Sequence, residues 1–165
     1  MGMGQTFAQE LEHEGTVARK LLERIPDGTF GWKPHDKSMS MGRLAYHVAE
    51  VPGWIGMIVG KDVFEMTSGE GGPGEAKSGP ELLRSFDEGL KSALSTLKGA
   101  SDDLLNSKWM MKVNGQVTIE MPKAAVIRAW VLNHLIHHRG QLSVYLRLNN
   151  IAVPAIYGPS ADEQG

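Results

Sequence analysis

The chain has 165 residues, of which 41% are apolar and 22% are charged, as in a globular protein of ordinary domain size. It contains no cysteine, which excludes a disulfide scaffold, a cysteine nucleophile and a thiolate metal site. Its formal net charge of −2 supplies no positive field for nucleic acid, so we predict no nucleic-acid partner. We expect residues 1–165 to form a single domain, with residues 1–4 and about 159–165 frayed.

The sequence has no pattern typical of export or membrane insertion. Residues 1–4 lack the basic stretch and following apolar stretch of a signal peptide. The most apolar stretch, residues 51–59, is too short to span a bilayer and contains glycine and proline. We therefore expect a cytoplasmic protein without a membrane partner.

An amphipathic helix is predicted over about residues 5–25. Six apolar residues recur at helical spacing between Phe7 and Ile25, and charged residues occupy the other face. Pro26, followed closely by a glycine, ends the pattern.

A second helix is predicted over roughly residues 40–59. Ser38 or Ser40 is placed to cap its amino terminus. Pro52 lies inside this pattern, where it removes a backbone donor and clashes with the preceding turn. We therefore expect a kink or break in this helix, after His47.

A glycine-rich stretch, residues 68–79, separates the second helix from the third. Its composition predicts a flexible connection within one domain, since neither side has enough helices to form a core alone. Pro80 is well placed as a first helical residue, and the apolar spacing predicts a third helix that ends at Gly99. Residues 101–105 predict a short capped turn.

The last third of the chain predicts a β-hairpin and then the longest helix. Residues 109–113 and 117–120 are β-prone and are separated by an Asn-Gly turn at residues 114–116. A helix follows over about 122–149, and the proline-containing tail 151–165 is extended. Four amphipathic helices predict an all-α fold: a four-helix bundle with a small β-hairpin before the last helix.

Two histidines interrupt the apolar side of the last helix. Counting about 100° per residue from Ile127 places His134 and His138 on the same side as Val131 and Leu142. The two histidines are four residues apart, so their rings point the same way and can share one metal ion.

The second helix carries a comparable histidine. His47 lies among apolar residues such as Leu44 and Val51 on the predicted inward side. A buried imidazole requires partners for its nitrogens, and one divalent ion would satisfy His47, His134 and His138 together. The alternative is that each is a core histidine bonded to a backbone carbonyl.

The sequence does not predict the remaining polar residues of interest to be metal ligands. His13 and His35 are interpreted as ordinary surface residues, and His137 as an edge residue of the last helix. Glu14 and Glu50 are interpreted as solvated or as supporting a metal ligand from behind, and Glu50 is placed to orient a nitrogen of a neighbouring imidazole. The tryptophans and methionines are interpreted as core, with a ligand pocket as the alternative.

Four segments together carry a resemblance to a known family. They are LNHLIHHRGQ at 132–141, WKPHDKS at 32–38, LAYHVAE at 44–50 and VPAIYGPSADE at 153–163. These segments resemble the DinB/YfiT-like family of metal-dependent enzymes, and the similarity extends over most of the chain.

The resemblance implies a four-helix bundle, usually homodimeric, with one metal ion at one end. It implies a ligand triad at His47, His134 and His138, the residues that helical spacing had also selected. The ion is expected to be zinc or nickel, with manganese or iron as alternatives, because three imidazoles do not select strongly among these metals.

The resemblance also implies a thiol-dependent activity on a small-molecule substrate. Three protein ligands leave a coordination position open, as in catalytic rather than structural sites. The leading hypothesis is that the metal activates a low-molecular-weight thiol for S-transfer or isomerisation. A metal-dependent hydrolase and a non-catalytic metal-binding stress-response protein are the alternatives.

Overall fold

The computed structural model of the chain describes residues 1–67 and 74–164. This described part is mostly helical, with one small sheet. In chain order the helices and strands are α1 (Met3–Leu22), α2 (Met41–Glu50), α3 (Trp54–Gly60), β1 (Val63–Met66), α4 (Gly79–Gly99), α5 (Asp102–Asn106), β2 (Lys108–Val113), β3 (Gln116–Pro122), α6 (Lys123–Val126) and α7 (Asn133–Leu148). Short 3₁₀ turns lie at Asp27–Thr29 and Val51–Gly53, and a π-helical segment spans Ile127–Leu132.

The helix boundaries follow the cap chemistry of the sequence. Of the two candidate caps, Ser40 begins α2, where its hydroxyl accepts a hydrogen bond from the Arg43 amide at 3.1 Å. Ser78 caps α4 in the same way, and α4 ends at Gly99 as predicted. The expected break at Pro52 is the 3₁₀ turn that separates α2 from α3.

Four long helical stretches surround the core. Helix α1 packs against α4 and α7, and the α2–α3 stretch packs against the same two helices. Their inward residues form a continuous apolar core that includes Leu11, Leu44, Phe86 and Leu142, all at most 1% exposed. His47 lies on this inward side of α2 and is buried, so the site described below borders the core.

The sheet corrects the prediction of an all-α fold with only a hairpin. The hairpin forms as predicted, with Asn114 and Gly115 both at positive φ in the turn. A third strand, β1, pairs in parallel with β2, with Val63 opposite Met110. This strand was not predicted because a parallel partner distant in the sequence leaves no local turn pattern.

The last helix also differs from the continuous helix predicted over 122–149. Helical structure does span Lys123 to Leu148, but the π-helical segment interrupts it between α6 and α7. A π turn accommodates one additional residue, which rotates all later side chains by about 100° relative to a regular helix. The core side of α7 is accordingly Leu135, Arg139, Leu142 and Leu146.

The glycine-rich connection predicted at 68–79 lies partly outside the described residues. In the part that is described, Ala76 is buried and Glu75 accepts a hydrogen bond from the Ser40 hydroxyl at 2.6 Å. In the described part of the chain, we find no helix with both the length and the apolar character needed to cross a bilayer.

Candidate metal centre

The structure brings together the three histidines that the sequence selected. One imidazole nitrogen from each of His47, His134 and His138 lies within 4.8 Å of the other two. His47 Nε2 and His134 Nε2 are 2.8 Å apart, and the three ring centroids are 4.5–5.0 Å apart. Residues that are 87 positions apart in sequence therefore present their nitrogens to one point.

The π-helical segment determines how the α7 histidines face this point. The predicted position for both was the middle of the buried side of a regular helix. Because the segment rotates α7, Leu135 and Arg139 take the core positions, and His134 and His138 lie beside them, half-buried. Both histidines follow the π segment in regular α-helix, so their four-residue spacing still aligns the rings.

The outer nitrogens of two rings are held by neighbouring polar side chains. His47 Nδ1 lies 2.6 Å from Glu50 Oε1, and His138 Nδ1 lies 2.7 Å from Gln141 Oε1. When each Nδ1–H donates to its oxygen, the Nε2 lone pair is left free on the inner side. Arg43 contacts the same Glu50 oxygen at 3.4 Å, which adds a cation behind the carboxylate.

The environment of His134 and His138 favours neutral imidazole, which is the metal-binding form. Burial lowers the pKa of His134 to about 4, and the charges of the neighbouring imidazoles act in the same direction. Burial also lowers the pKa of His138, although the hydrogen bond with Gln141 opposes this effect. Burial raises the pKa of Glu50, but its contacts with His47 and Arg43 together outweigh this effect, so the pKa of Glu50 is lowered overall.

The donor set fits a borderline divalent ion. Three imidazole nitrogens with outer hydrogen-bond partners are a common ligand set for zinc, nickel and related ions. Among residues 1–67 and 74–164, no further histidine or carboxylate joins this group. A cavity of about 350 Å³, lined by Trp54, Trp130 and His134, lies directly beside the triad.

The other three histidines that the sequence offers do not join this group of converging nitrogens. His13 is exposed on α1, and His35 lies in a loop where its Nδ1 accepts a hydrogen bond from the Lys37 amide. His137 is exposed, with its ring 4.8 Å from that of His138. His137 therefore borders the triad on its exposed side without joining it, and His13 and His35 lie elsewhere in the fold.

Two residues of the site had weak or missing sequence interpretations. Glu50 was interpreted as solvated, with orientation of an imidazole as the alternative, and the structure favours that alternative. Gln141 was not considered at all. A common spacing could have found both: Glu50 follows His47 by three residues, and Gln141 follows His138 by three.

Glu14 is also not solvated, because it pairs with a buried arginine. Arg139 and Glu14 are 1% and 6% exposed, and their side chains approach to 2.6 Å. The Tyr157 hydroxyl donates to Glu14 at 2.8 Å, which attaches the carboxy-terminal tail to this pair. Arg139 directly follows His138 in the sequence, but no sequence pattern indicated that the Arg139 side chain would be buried in the core.

Comparisons with known proteins agree with this fold. The model of the DinB family matches residues 1–164. The chain is 26% identical over 159 residues to the uncharacterised protein YrdA of Bacillus subtilis strain 168, covering 95% of this chain and 89% of that protein.

Solved structures similar to this fold include two DinB-like proteins. One, from Bacillus cereus ATCC 10987, has a TM-score of 0.71 at 21% identity, covering 92% of this chain and 95% of that chain. The other, YjoA of Bacillus subtilis, has a TM-score of 0.67 at 17% identity, covering 88% and 92% respectively. Since the family model spans nearly the whole sequence and the folds agree, the chain belongs to the DinB family.

Proposed function

We propose that this protein is a metal-dependent enzyme whose divalent ion is held by His47, His134 and His138. The observation that carries the proposal is the convergence of three imidazole nitrogens within 4.8 Å, two of them on rings whose outer nitrogens have hydrogen-bond partners. Buried histidines that served only in packing would not require their nitrogens to meet at one point.

The chain's own residues orient the ligands and restrict access to them. Glu50 and Gln141 hold the rings of His47 and His138, and Trp54 lies over the site with its ring 5.6 Å from that of His47 and 5.4 Å from that of His134. A divalent ion bound there would supply a Lewis acid that lowers the pKa of a coordinated thiol or water. Zinc and nickel are the leading candidates, with manganese or iron as alternatives.

The reaction we propose is activation of a low-molecular-weight thiol for S-transfer or isomerisation of a small molecule. Membership of the DinB family supports this choice by analogy. A hydrolase that uses bound hydroxide and a non-catalytic metal-binding stress-response protein are the alternatives. The cavity beside His134 favours catalysis over storage, because a storage site would be closed by a fourth protein ligand.

The metal assignment is tested by elemental analysis of protein purified without a polyhistidine tag or a nickel resin. The wild type is expected to hold about one divalent ion per chain, and the His47→Ala/His138→Ala double variant to hold none. The matched control is His13→Ala, which removes an exposed imidazole from α1 and should keep the metal. A wild-type protein that takes up no zinc, nickel, manganese or iron would disprove the assignment.

The reaction class is tested by comparing turnover with and without a thiol. Metal-loaded protein is assayed with electrophilic substrates and glutathione, mycothiol or bacillithiol, and separately with activated esters and amides. Conjugation or isomerisation that requires both metal and thiol supports the proposal. Ester or amide turnover without thiol would instead assign the hydrolase alternative.

We further propose that the protein acts in the cytoplasm as a homodimer. The homodimer is an expectation from the family resemblance, and the cytoplasmic location is an expectation from the sequence patterns described above. Light scattering of the purified full chain measures the oligomeric state directly, and a mass of one chain would contradict the homodimer.

A further inference from the structure

An apolar cleft opens next to the histidine triad. It has a volume of about 400 Å³ and is lined by Gly53, Trp54, Met57, Phe64, Met66 and Trp130; we call it the tryptophan cleft. This volume lies within the range of small-molecule sites, about 300–1,000 Å³. The cleft walls come from four parts of the fold: the 3₁₀ turn, α3, β1 and the π-helical segment.

The lining residues select for a neutral, apolar ligand. None of the six carries a charge, and their exposed surface in the cleft is almost entirely apolar. A charged group placed there would lose its hydration without gaining a partner. The two indole rings favour flat aromatic groups, and the two methionines can adapt to the shape of the ligand.

A buried tryptophan supports the cleft from behind. Trp109 is fully buried, and its ring lies parallel to Phe64 at 6.5 Å and edge-on to Trp130 at 5.8 Å. These contacts fix the positions of two cleft residues before any ligand binds. A preformed apolar site binds with a smaller entropic cost than one that must be assembled.

The cleft shares two wall residues with the cavity beside the triad. Trp54 and Trp130 line both the tryptophan cleft and the smaller cavity that contains His134. Trp130 belongs to the π-helical segment, which ends at Leu132, directly before α7. His134 is the second residue of α7 and lines the smaller cavity together with Trp130. Such π segments are frequent at functional sites. One segment therefore positions both an aromatic wall and a candidate metal ligand.

We infer that the tryptophan cleft binds the neutral, aromatic part of a small-molecule substrate whose reacting end lies at His134. The cleft assignment depends on the apolar lining, the volume and the buried support. Only the placement of the reacting end rests on the proposed function. A second copy of this chain is a different occupant, and the experiment below distinguishes it.

The test uses a probe that does not depend on metal. The full chain, labelled with ¹³C at its methionine methyl groups, is titrated with 2-naphthol, a neutral aromatic molecule at pH 7. The methyl signals of Met57 and Met66 should shift and saturate together, whereas that of Met39, which is 39% exposed outside the cleft, should not.

Two variants and one matched control locate the binding. Met57→Glu and Met66→Glu each place a charge in the cleft and should weaken 2-naphthol binding by about tenfold or more. Met66 is 41% exposed, so its substitution should leave the fold intact even if that of Met57 does not. Met39→Glu adds the same charge elsewhere and should leave the affinity unchanged.

Several results would overturn the inference. The first is the absence of a saturable shift at Met57 and Met66 in the wild type. The second is an affinity that neither cleft variant reduces. The third is a wild-type dimer that does not bind 2-naphthol and that dissociates when Met57→Glu is introduced. This result would assign the cleft to a second copy of the chain.

The result of the 2-naphthol titration can be distinguished from the result of the metal assay. If 2-naphthol binds in the cleft but elemental analysis finds no metal, the cleft assignment stands and the proposed enzyme function fails. If metal is present but 2-naphthol does not bind, the triad assignment stands and the cleft inference fails.

Discussion

Glu50 Oε1 lies 2.6 Å from His47 Nδ1, on the side of the ring that faces away from the other two histidines. The carboxylate is three residues from His47 on the same helix and is itself paired with Arg43. This contact holds the ring with its second nitrogen directed into the triad. Glu50 is therefore a positioning residue for the candidate metal ligand.

Removal of this carboxylate should weaken metal binding without abolishing it. Glu50→Ala is expected to lower the affinity for zinc by about 10–100-fold, because the ring of His47 loses its outer partner. Glu50→Gln, which retains an acceptor oxygen, should lose less. Competition with a chromophoric zinc chelator measures both affinities. Glu12→Ala, an exposed carboxylate on α1, is the control, and an equal loss in that variant would contradict the positioning role.

The buried pair of Arg139 and Glu14 should contribute strongly to stability. Arg139→Met leaves the Glu14 carboxylate buried without its cation, and we expect the free energy of unfolding to fall by about 3–5 kcal/mol. Urea denaturation followed by circular dichroism measures this change. Lys108→Gln removes the cation of an exposed pair with Glu120 and should cost about 0–1 kcal/mol. Similar losses in the two variants would show that burial does not govern the effect.

The contact between α1 and the end of α4 should not tolerate a methyl group. A Cβ atom at Gly4 would lie 2.3 Å from the carbonyl oxygen of Leu97 and 2.8 Å from that of Ala100, and neither backbone oxygen can rotate away. Gly4→Ala is expected to destabilise the protein by about 1–3 kcal/mol.

The control for Gly4 is a second helical glycine with open space around it. A Cβ atom at Gly56 in α3 meets no heavy atom within 4 Å. Gly56→Ala should therefore stabilise the protein by about 0.4–1 kcal/mol, because alanine restricts the unfolded chain. Thermal unfolding of the two variants should give melting temperatures that move in opposite directions.

The attachment of the carboxy-terminal tail should depend on pH. The hydrogen bond from Arg147 lowers the pKa of Asp162, and the amide of Ala155 and the side chain of Arg24 lower the pKa of Glu163. A carboxyl group with a lowered folded-state pKa stabilises the fold above its unfolded value, and this contribution is lost as the pH falls through the folded value. The contacts of Asp162 and Glu163 should therefore hold their part of the tail at neutral pH and weaken progressively as the pH falls below about 4.

Hydrogen exchange of residues 151–164, corrected for the intrinsic rate at each pH, measures this release. The Asp162→Asn/Glu163→Gln double variant, which removes both negative charges, should already have reduced protection at pH 7. Amides of α1 in the core serve as the internal control and should be unaffected by the substitutions. Protection of the tail that does not fall at any acidic pH at which the core amides of α1 stay protected would contradict the assignment.

Much of the fold was predictable because it depends on local chemistry. The Ser40 cap, the break at Pro52 and the Asn114-Gly115 turn each follow from the conformations that a few adjacent residues prefer. The convergence of the three histidines was also predicted from periodicity together with family resemblance. Metal binding itself stays a prediction that the proposed elemental analysis would test.

The sequence by itself determined the helices, the hairpin and the residue types of the candidate site, because helical period, caps and turns are set by neighbours along the chain. Only the tertiary structure decided the pairing of β1 with β2, the burial of Arg139 against Glu14, and the rotation of α7 that places His134 beside the tryptophan cleft. Each of these depends on contacts between residues far apart in sequence. The interaction energies of these contacts therefore cannot be inferred from a local sequence pattern.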